Sequence, residues 1–362
     1  MSNSSEYALI LAGGRGTRFW PRSRRRTAKQ VLNVIGERSL IQATVDRLAR
    51  LIPPERIWVL TNDPLRETIV RQLPQVPKAQ ILAEPAARNT APAIGLAAHI
   101  LHSLDPNAIM GVFPADHFIG NPDLYRKFLR AAFQGARTGK LMAMGIQPRW
   151  PETGYGYIEF PRGAEAGSTA AVSVLRFHEK PGLSKAKRYL ADGNFYWNSG
   201  MFFWRVDVLL HQLRMHLPKT AVTLAALPPF ASPRFRAELQ HAFPLCDDIS
   251  IDYAVLEKAA KAGMVGGVPA ADFGWSDVGS WNAVYELIPR DEAGNAARHE
   301  LIGQDAQGNF VDARGKLVAL LGVRNLIVVD TPDALLVASR KRAQQVGDIV
   351  KILEKRGRED LL

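Results

Sequence analysis

The chain has 362 residues, 47% of them apolar and 22% charged, an ordinary globular composition with room for one large domain and one smaller one. Cys246 is its only cysteine, which excludes an intrachain disulfide and a thiolate-bound zinc, and its apolar, proline-flanked setting reads as core packing. No apolar stretch approaches the roughly 20 residues of a membrane helix, and residues 1–6 lack the basic-then-apolar layout of a signal peptide, so a soluble, cytoplasmic protein without membrane contact is expected. The formal net charge of +11 raises nucleic-acid binding as an option.

In chain order, the apolar run 7–12 is continuous, as in a strand buried on both faces, and breaks into Gly13, Gly14, Arg15, Gly16, Thr17 and Arg18. From Arg15 to Lys29 the basic residues Arg15, Arg18, Arg22, Arg24, Arg25, Arg26 and Lys29 occur with no acid among them. That concentration directly after a glycine loop suits a compact polyphosphate, and no recognised DNA or RNA module appears. A helix capped by Ser39 is predicted over 39–48, a strand over 56–61 and a buried helix over 91–101. A strand over 109–113 runs into Pro114, Ala115, Asp116 and His117, and a helix over 123–138 follows. This alternation predicts an α/β fold with a Rossmann-like, mainly parallel sheet.

From Lys140 the strands 141–146, 154–160 and 172–179 follow one another without helices between them. A helix over 184–191 leads to an aromatic strand over 194–205 that returns to the same sheet, so the insertion forms a wall for a second substrate. Ser250 caps a helix running to Ala260, and 273–281 is a loop without regular period. After about Arg290 the texture changes to short β segments at 310–312, 317–321, 326–330 and 334–338, then a helix over 344–354. The basic cluster over 340–358 reads as that helix's solvated face. The expected domains are 1–288, catalytic, and 289–362, a small β domain with a terminal helix.

The glycine loop is neither of its common lookalikes. A dinucleotide fingerprint starting at Gly14 would need glycine or alanine where Phe19 stands, and no P-loop pattern occurs. What remains is a strand followed by glycines whose N–H groups can approach phosphate oxygens, with Arg15, Arg18 and Lys29 supplying positive charge. Asp116 lies at the C-terminal end of a parallel strand, where open α/β sheets hold ligands, and Asp277 sits in a glycine-flanked loop that could fold over the same edge.

The run from Leu11 to Ser23 with Lys29 and Gln30 resembles the signature of the sugar-nucleotide pyrophosphorylases, and the pair Trp20, Pro21 resembles their mannose-1-phosphate guanylyltransferase branch. Further matches follow in family order around Glu84 to Ala93, Pro114 to His117, Gly154 to Ile158, Glu179 to Pro181, Trp197 to Met201, Ser250 to Ala254 and Trp275 to Trp281. The family usually has proline before the motif lysine, where this chain has Ala28, a change that loosens the local backbone.

The resemblance implies transfer from GTP to mannose 1-phosphate, with Asp116 and Asp277 as ligands of Mg²⁺, a cation that takes one or two carboxylates beside phosphate and water. Arg18 and Lys29 would serve the triphosphate and Lys180 the incoming sugar phosphate. Gly154, Glu179 and Asn198 would meet the sugar; Tyr155, Tyr157 and Trp197 are options for walls of its pocket, but such aromatics read first as ordinary packing. The nucleotide would lie along Leu11, Ala12, Gly13, Gly14, Arg15, Gly16 and Thr17, with Glu84, Asn89 and Thr90 at the base. No general base is required, because the attacking phosphate oxygen is already anionic; positioning and charge neutralisation carry the reaction. The tail resembles the family's partial left-handed β-helix, which often helps form a homodimer. The segment after Arg290 is too short for a fused cupin-type isomerase, so no isomerase activity is expected. The rival readings are a thymidylyl- or uridylyltransferase of the same class and a non-catalytic sugar-nucleotide sensor; the latter need not keep Arg18, Lys29, Asp116, Lys180 and Asp277.

Overall fold

The computed structural model describes residues 5–362, so the part of the N-terminal expectation that falls on residues 1–4 lies outside the described residues. Twelve strands are assigned before residue 290 among the described residues: β1 (Glu6–Ala12), β2 (Ile57–Asn62), β3 (Ile81–Glu84), β4 (Ile109–Pro114), β5 (Phe118–Ile119), β6 (Leu141–Ile146), β7 (Tyr157–Glu159), β8 (Val172–Ser173), β9 (Arg176–His178), β10 (Phe195–Arg205), β11 (Val265–Ala270) and β12 (Trp275–Ser276). Ten of them form one sheet, whose main path runs β3-β2-β1-β4-β10-β6-β11-β8, with β7 attached at β10 and β9 at β7. Following the pairings, β1, β2, β3, β4, β6, β7 and β11 share one direction, so the sheet is mainly parallel.

Helices cover both faces. Leu40–Leu48, begun by a capping box between Ser39 and Gln42, and Pro122–Arg137 pack on one side, while Thr90–Leu104 and Val206–His216 pack on the other. Because β10 runs against its neighbours β4 and β6, its first residues lie at the edge where those strands end. Asn198, in a register shift of β10, thereby joins the edge that carries the loops after β1, β4 and β11.

The C-terminal strands are β13 (Ala296–Ala297), β14 (Leu301–Gln304), β15 (Phe310–Asp312), β16 (Val318–Leu321), β17 (Leu326–Asp330) and β18 (Leu335–Ser339). β13, β15 and β17 pair in parallel, as do β14 and β16, which is the stacking of a β-helix. Asn309 links the turns: its N–H and Nδ2 donate to Asn295 Oδ1 at 3.0 and 2.9 Å, and its Oδ1 accepts from Leu326 N at 2.9 Å.

Four sequence expectations change. The strand expected over 172–179 divides into β8, which pairs with β11, and β9, which pairs with β7. The helix from Ser250 to Ala260 opens instead with a π turn over Asp252–Leu256 before Glu257–Lys261. The loop 273–281 contains β12, which pairs with β5. The cluster 340–358 is not purely solvated, since Arg340 lies over the Tyr285 ring at 3.4 Å and bonds Asn282 and Gly308. Cys246 is buried, as expected.

Candidate active site

β1 delivers the glycine loop to the sheet edge, and the loop is braced from below. Gln30 Nε2 donates to Ala12 O at 2.7 Å and Gly14 O at 3.1 Å, and Asn62 Nδ2 donates to Gly13 O at 3.2 Å. Gly16 takes φ +60, and a Cβ there would stand 2.6 Å from Lys29 Cβ, so only glycine lets the loop cross Lys29 this closely. Ala28 holds φ −67, the value proline would impose, so the departure at Ala28 leaves the backbone path unaltered.

Lys29 is 6% exposed and reaches two candidate metal-loop residues at once, with Nζ 2.7 Å from Asp116 Oδ2 and donating to Asp277 O at 2.6 Å. Packing around Asp116 favours its neutral acid, but the Lys29 ammonium outweighs this and holds the carboxyl below the ordinary range. Asp277 is different: burial raises its pKa, and Lys29 offsets this only in part. Tyr155 donates to Asp277 Oδ1 at 2.8 Å, and a Cβ at Gly279 would lie 2.8 Å from Oδ2, so the missing side chain leaves a cradle beside that oxygen. Two hard carboxylates, one of them lacking sufficient positive charge, fit a divalent cation that also keeps phosphate and water ligands. No group of three or more His, Cys, Asp or Glu suited to a metal occurs among the described residues. Burial lowers the His117 pKa to about 4, so it is neutral at ordinary pH and accepts from Trp275 Nε1 at 3.2 Å.

The Asp277 loop is strained. Val278 adopts φ 47, a region that costs a β-branched residue of order 1–3 kcal/mol. Its N–H donates to Ser276 Oγ at 3.1 Å, and its side chain is buried among Phe19, Trp20 and Trp281.

A cleft of about 370 Å³ is lined by Thr17, Arg18, Lys29, Asp116 and Asp277. It adjoins a larger one of about 730 Å³ that shares Arg18 and Asp277 and adds Gly154, Tyr155 and Lys180. Glu84 ends β3 beside the glycine loop, where a Cβ at Gly13 would lie 3.8 Å from its Oε2. Burial pushes the Glu84 pKa up to about 7. Asn89 caps the helix Thr90–Leu104 with its side chain, and Thr90 Oγ1 accepts from Ile251 N at 2.9 Å. Gly154 N is taken by Glu152 Oε1 at 2.7 Å, Lys180 Nζ sits 3.1 Å from Glu179 Oε1, and Asn198 Nδ2 donates to Asp252 Oδ1 at 2.9 Å. Tyr155 and Trp197 make an edge-on aromatic pair beside this region, and Tyr157 bonds the Trp197 indole.

Four residues of the basic run are paired within the chain. Arg15 pairs with Glu354 at 2.6 Å, Arg22 with Asp312 at 2.6 Å and Arg24 with Asp333 at 3.0 Å, and Arg25 pairs with Glu359. All four acids lie in the C-terminal segment, so Arg18 and Lys29 are the basic residues of the run that line the smaller cleft. Trp20 also faces that segment, donating from Nε1 to Leu361 O at 3.1 Å, while Trp281 stacks on Phe310 at 5.6 Å.

Two family models match the chain: nucleotidyl transferase over residues 7–294, and a MannoseP isomerase/GMP-like beta-helix domain over 299–353. The chain belongs to the nucleotidyl transferase family. Among relatives in that family, a mannose-1-phosphate guanylyltransferase of Klebsiella pneumoniae is 40% identical over 358 residues, covering 97% of this chain and 74% of the relative. One of Escherichia coli (strain K12) is 38% identical over 371 residues, covering 99% and 76%. A crystal structure described as mannose-1-phosphate geranyltransferase from Thermus thermophilus has a TM-score of 0.84 at 34% identity, covering 97% of this chain and 99% of that one. The α/β fold with a C-terminal β-helix is that of the family, and no helix among the described residues is long and apolar enough to cross a membrane.

Sequence reasoning passed over Asp252, which sits in a matched segment but reads as an ordinary first-turn acid, and over Gln30, whose bracing role follows a matched lysine with no local sign of its target.

Proposed function

We propose that the chain joins mannose 1-phosphate to GTP, giving GDP-mannose and diphosphate, in the cleft that carries Arg18, Lys29, Asp116 and Asp277. The observation that carries this reading is the convergence of a glycine loop, two cations and two carboxylates at one sheet edge, beside a second cleft lined by Gly154 and Lys180. The activity named for the relatives at 38–40% identity supports guanine and mannose over other pairs.

In this reading the triphosphate lies along Gly13 to Thr17 with the backbone of Leu11 and Ala12 beside the nucleoside, and the Glu84 carboxylate accepts from the guanine N–H donors. Asn89 and Thr90 shape the base pocket by fixing the helix that follows. Asp116 and Asp277 would hold Mg²⁺, which would supply neutralisation of phosphate charge. Arg18 and Lys29 steady the departing diphosphate, and Lys180 leaves Glu179 to meet the incoming sugar phosphate, whose anionic oxygen attacks the α-phosphorus in line. Gly154, Glu179 and Asn198 surround the sugar. Residues 1–288 act as the catalytic unit and 289–362 as the unit that clasps the signature loop; a cytoplasmic homodimer is the proposed setting.

The test crosses GTP, ATP, UTP and dTTP with mannose 1-phosphate and glucose 1-phosphate, with Mg²⁺ and with chelator, and reads diphosphate release. Metal-dependent turnover with GTP and mannose 1-phosphate is the expected result. Turnover only with a thymidine or uridine nucleotide would refute the guanine assignment, and silence throughout would favour a sensor.

A further inference from the structure

Asn198 has its hydrogen bonds nearly all assigned. Its Oδ1 accepts from Gly200 N at 3.1 Å, its backbone N–H donates to Gly156 O at 2.8 Å, and one Nδ2 hydrogen goes to Asp252 Oδ1 at 2.9 Å. This pattern fixes the amide's orientation, since a main-chain N–H must face its oxygen and a carboxylate its nitrogen. One Nδ2 hydrogen is left for a ligand. On the other side of Asn198, a Cβ at Gly156 would lie 3.3 Å from Glu179 Oε2 and 3.6 Å from Asn198 Cβ, so the glycine keeps open the gap between the amide and the Glu179 carboxylate.

The result is a donor flanked by two carboxylates, reached through Gly156 and Glu179, the chain neighbours of Tyr155 and Lys180 in the larger cleft. We infer that Asp252 is a specificity-determining residue of the proposed sugar subsite, accepting with Glu179 from neighbouring sugar hydroxyls while it holds the Asn198 amide in place. The inference rests on the sugar-phosphate reading of the cleft.

The local fold supports it. Asp252 opens the π turn Asp252–Leu256, and such turns re-aim a side chain that a regular helix would direct elsewhere. The turn is pinned from the nucleotide side, where Ile251 N donates to Thr90 Oγ1 and Ala91 N donates to Ile249 O at 3.1 Å. Burial, eased by Asn198 and reinforced by the nearby Glu179 charge, raises the Asp252 pKa. A carboxylate in that position is better satisfied by hydroxyl donors than by the empty pocket.

Asp252→Asn keeps the shape and can still accept from Asn198, but replaces the second oxygen with a donor. The experiment measures binding by calorimetry, and turnover with GTP, for mannose 1-phosphate and its 2-, 3- and 4-deoxy analogues, with the parent and Asp252→Asn. The expected result is about 10- to 100-fold weaker binding of mannose 1-phosphate, with the KM for GTP unchanged. One deoxy analogue penalised in the parent should lose its penalty in the variant. The same deoxy penalties in both proteins, or equal losses for GTP and sugar, would overturn the assignment. Binding of hexose phosphates without any turnover by the parent would refute the transferase reading while leaving the deoxy comparison decisive for Asp252; no binding of any hexose phosphate would overturn both. If Asp252→Asn does not fold, Asp252→Ser supports the same comparison.

Discussion

Replacing Glu84 by glutamine should make the empty protein more stable in alkali and leave it little changed in acid. Burial raises the Glu84 pKa from 4.5 to about 7, so its folded form favours the proton. Its stability contribution is therefore fully present below the unfolded pKa and lost as the pH rises through about 7. With about 1.36 kcal/mol per unit, roughly 2.5 kcal/mol is lost between pH 5 and pH 8.5, and partial exposure of the carboxyl trims this to about 2 kcal/mol. Glutamine cannot ionise, so the variant's advantage should grow by that amount across the range, a melting shift of a few degrees. Thermal melts of both proteins at pH 5 and pH 8.5, without nucleotide, measure it. A difference between the proteins that is the same at both pH values would refute the reasoning. With GTP present the order reverses if Glu84 reads the base, and the variant should show a raised KM for GTP.

Other substitutions test the surrounding architecture. Asp312→Ala strands Arg22, whose side chain is only 11% exposed, and should cost about 3 kcal/mol; the lower end of the range is expected because Arg22 Nε and Asp312 Oδ2 have no partner among the described residues. Denaturant unfolding should detect the loss, kinetics should show a raised KM for GTP because Arg22 belongs to the signature loop, and Arg22→Met with Asp312→Leu should recover most of the stability. Gly16→Ala forces a Cβ to within 2.6 Å of Lys29 at positive φ, so nucleotide affinity measured by titration should fall at least tenfold, the consequence of roughly 1.4 kcal/mol or more of strain. Because burial raises the Asp277 pKa, protonation competes with cation binding as the pH falls; the Mg²⁺ concentration for half-maximal activity should rise in acid, and direct metal titration of Asp277→Asn should lose that pH dependence.

The parallel part of the fold was legible because β1 and β4 are buried on both faces and therefore read as unbroken apolar runs ending in glycine or in Pro114. The return of β10 to the same sheet followed from its aromatic content, though not its place between β4 and β6, and the short C-terminal strands followed from their turns. The helices Asp63–Gln72, Val206–His216, Pro218–Ala225 and Phe235–Ala242 were not read, as each runs only about two to three turns and packs through few apolar positions. The intrachain partners of Arg15, Arg22, Arg24 and Arg25 were not legible at all. Local sequence showed cations without acids, but their partners lie some 290 to 340 residues further on, where only folding brings them together. Asp252 was hidden for a similar reason: its meaning depends on a π turn and on Asn198, neither of which leaves a periodic trace.

The most direct test of the central claim supplies mannose 1-phosphate labelled with ¹⁸O in all its phosphate oxygens, together with unlabelled GTP, and reads both products by mass spectrometry. Attack by the sugar phosphate on the α-phosphorus predicts that the label is retained in GDP-mannose, including the bridging oxygen, and that diphosphate carries none. Labelled diphosphate, or GDP-mannose without the label, would contradict it.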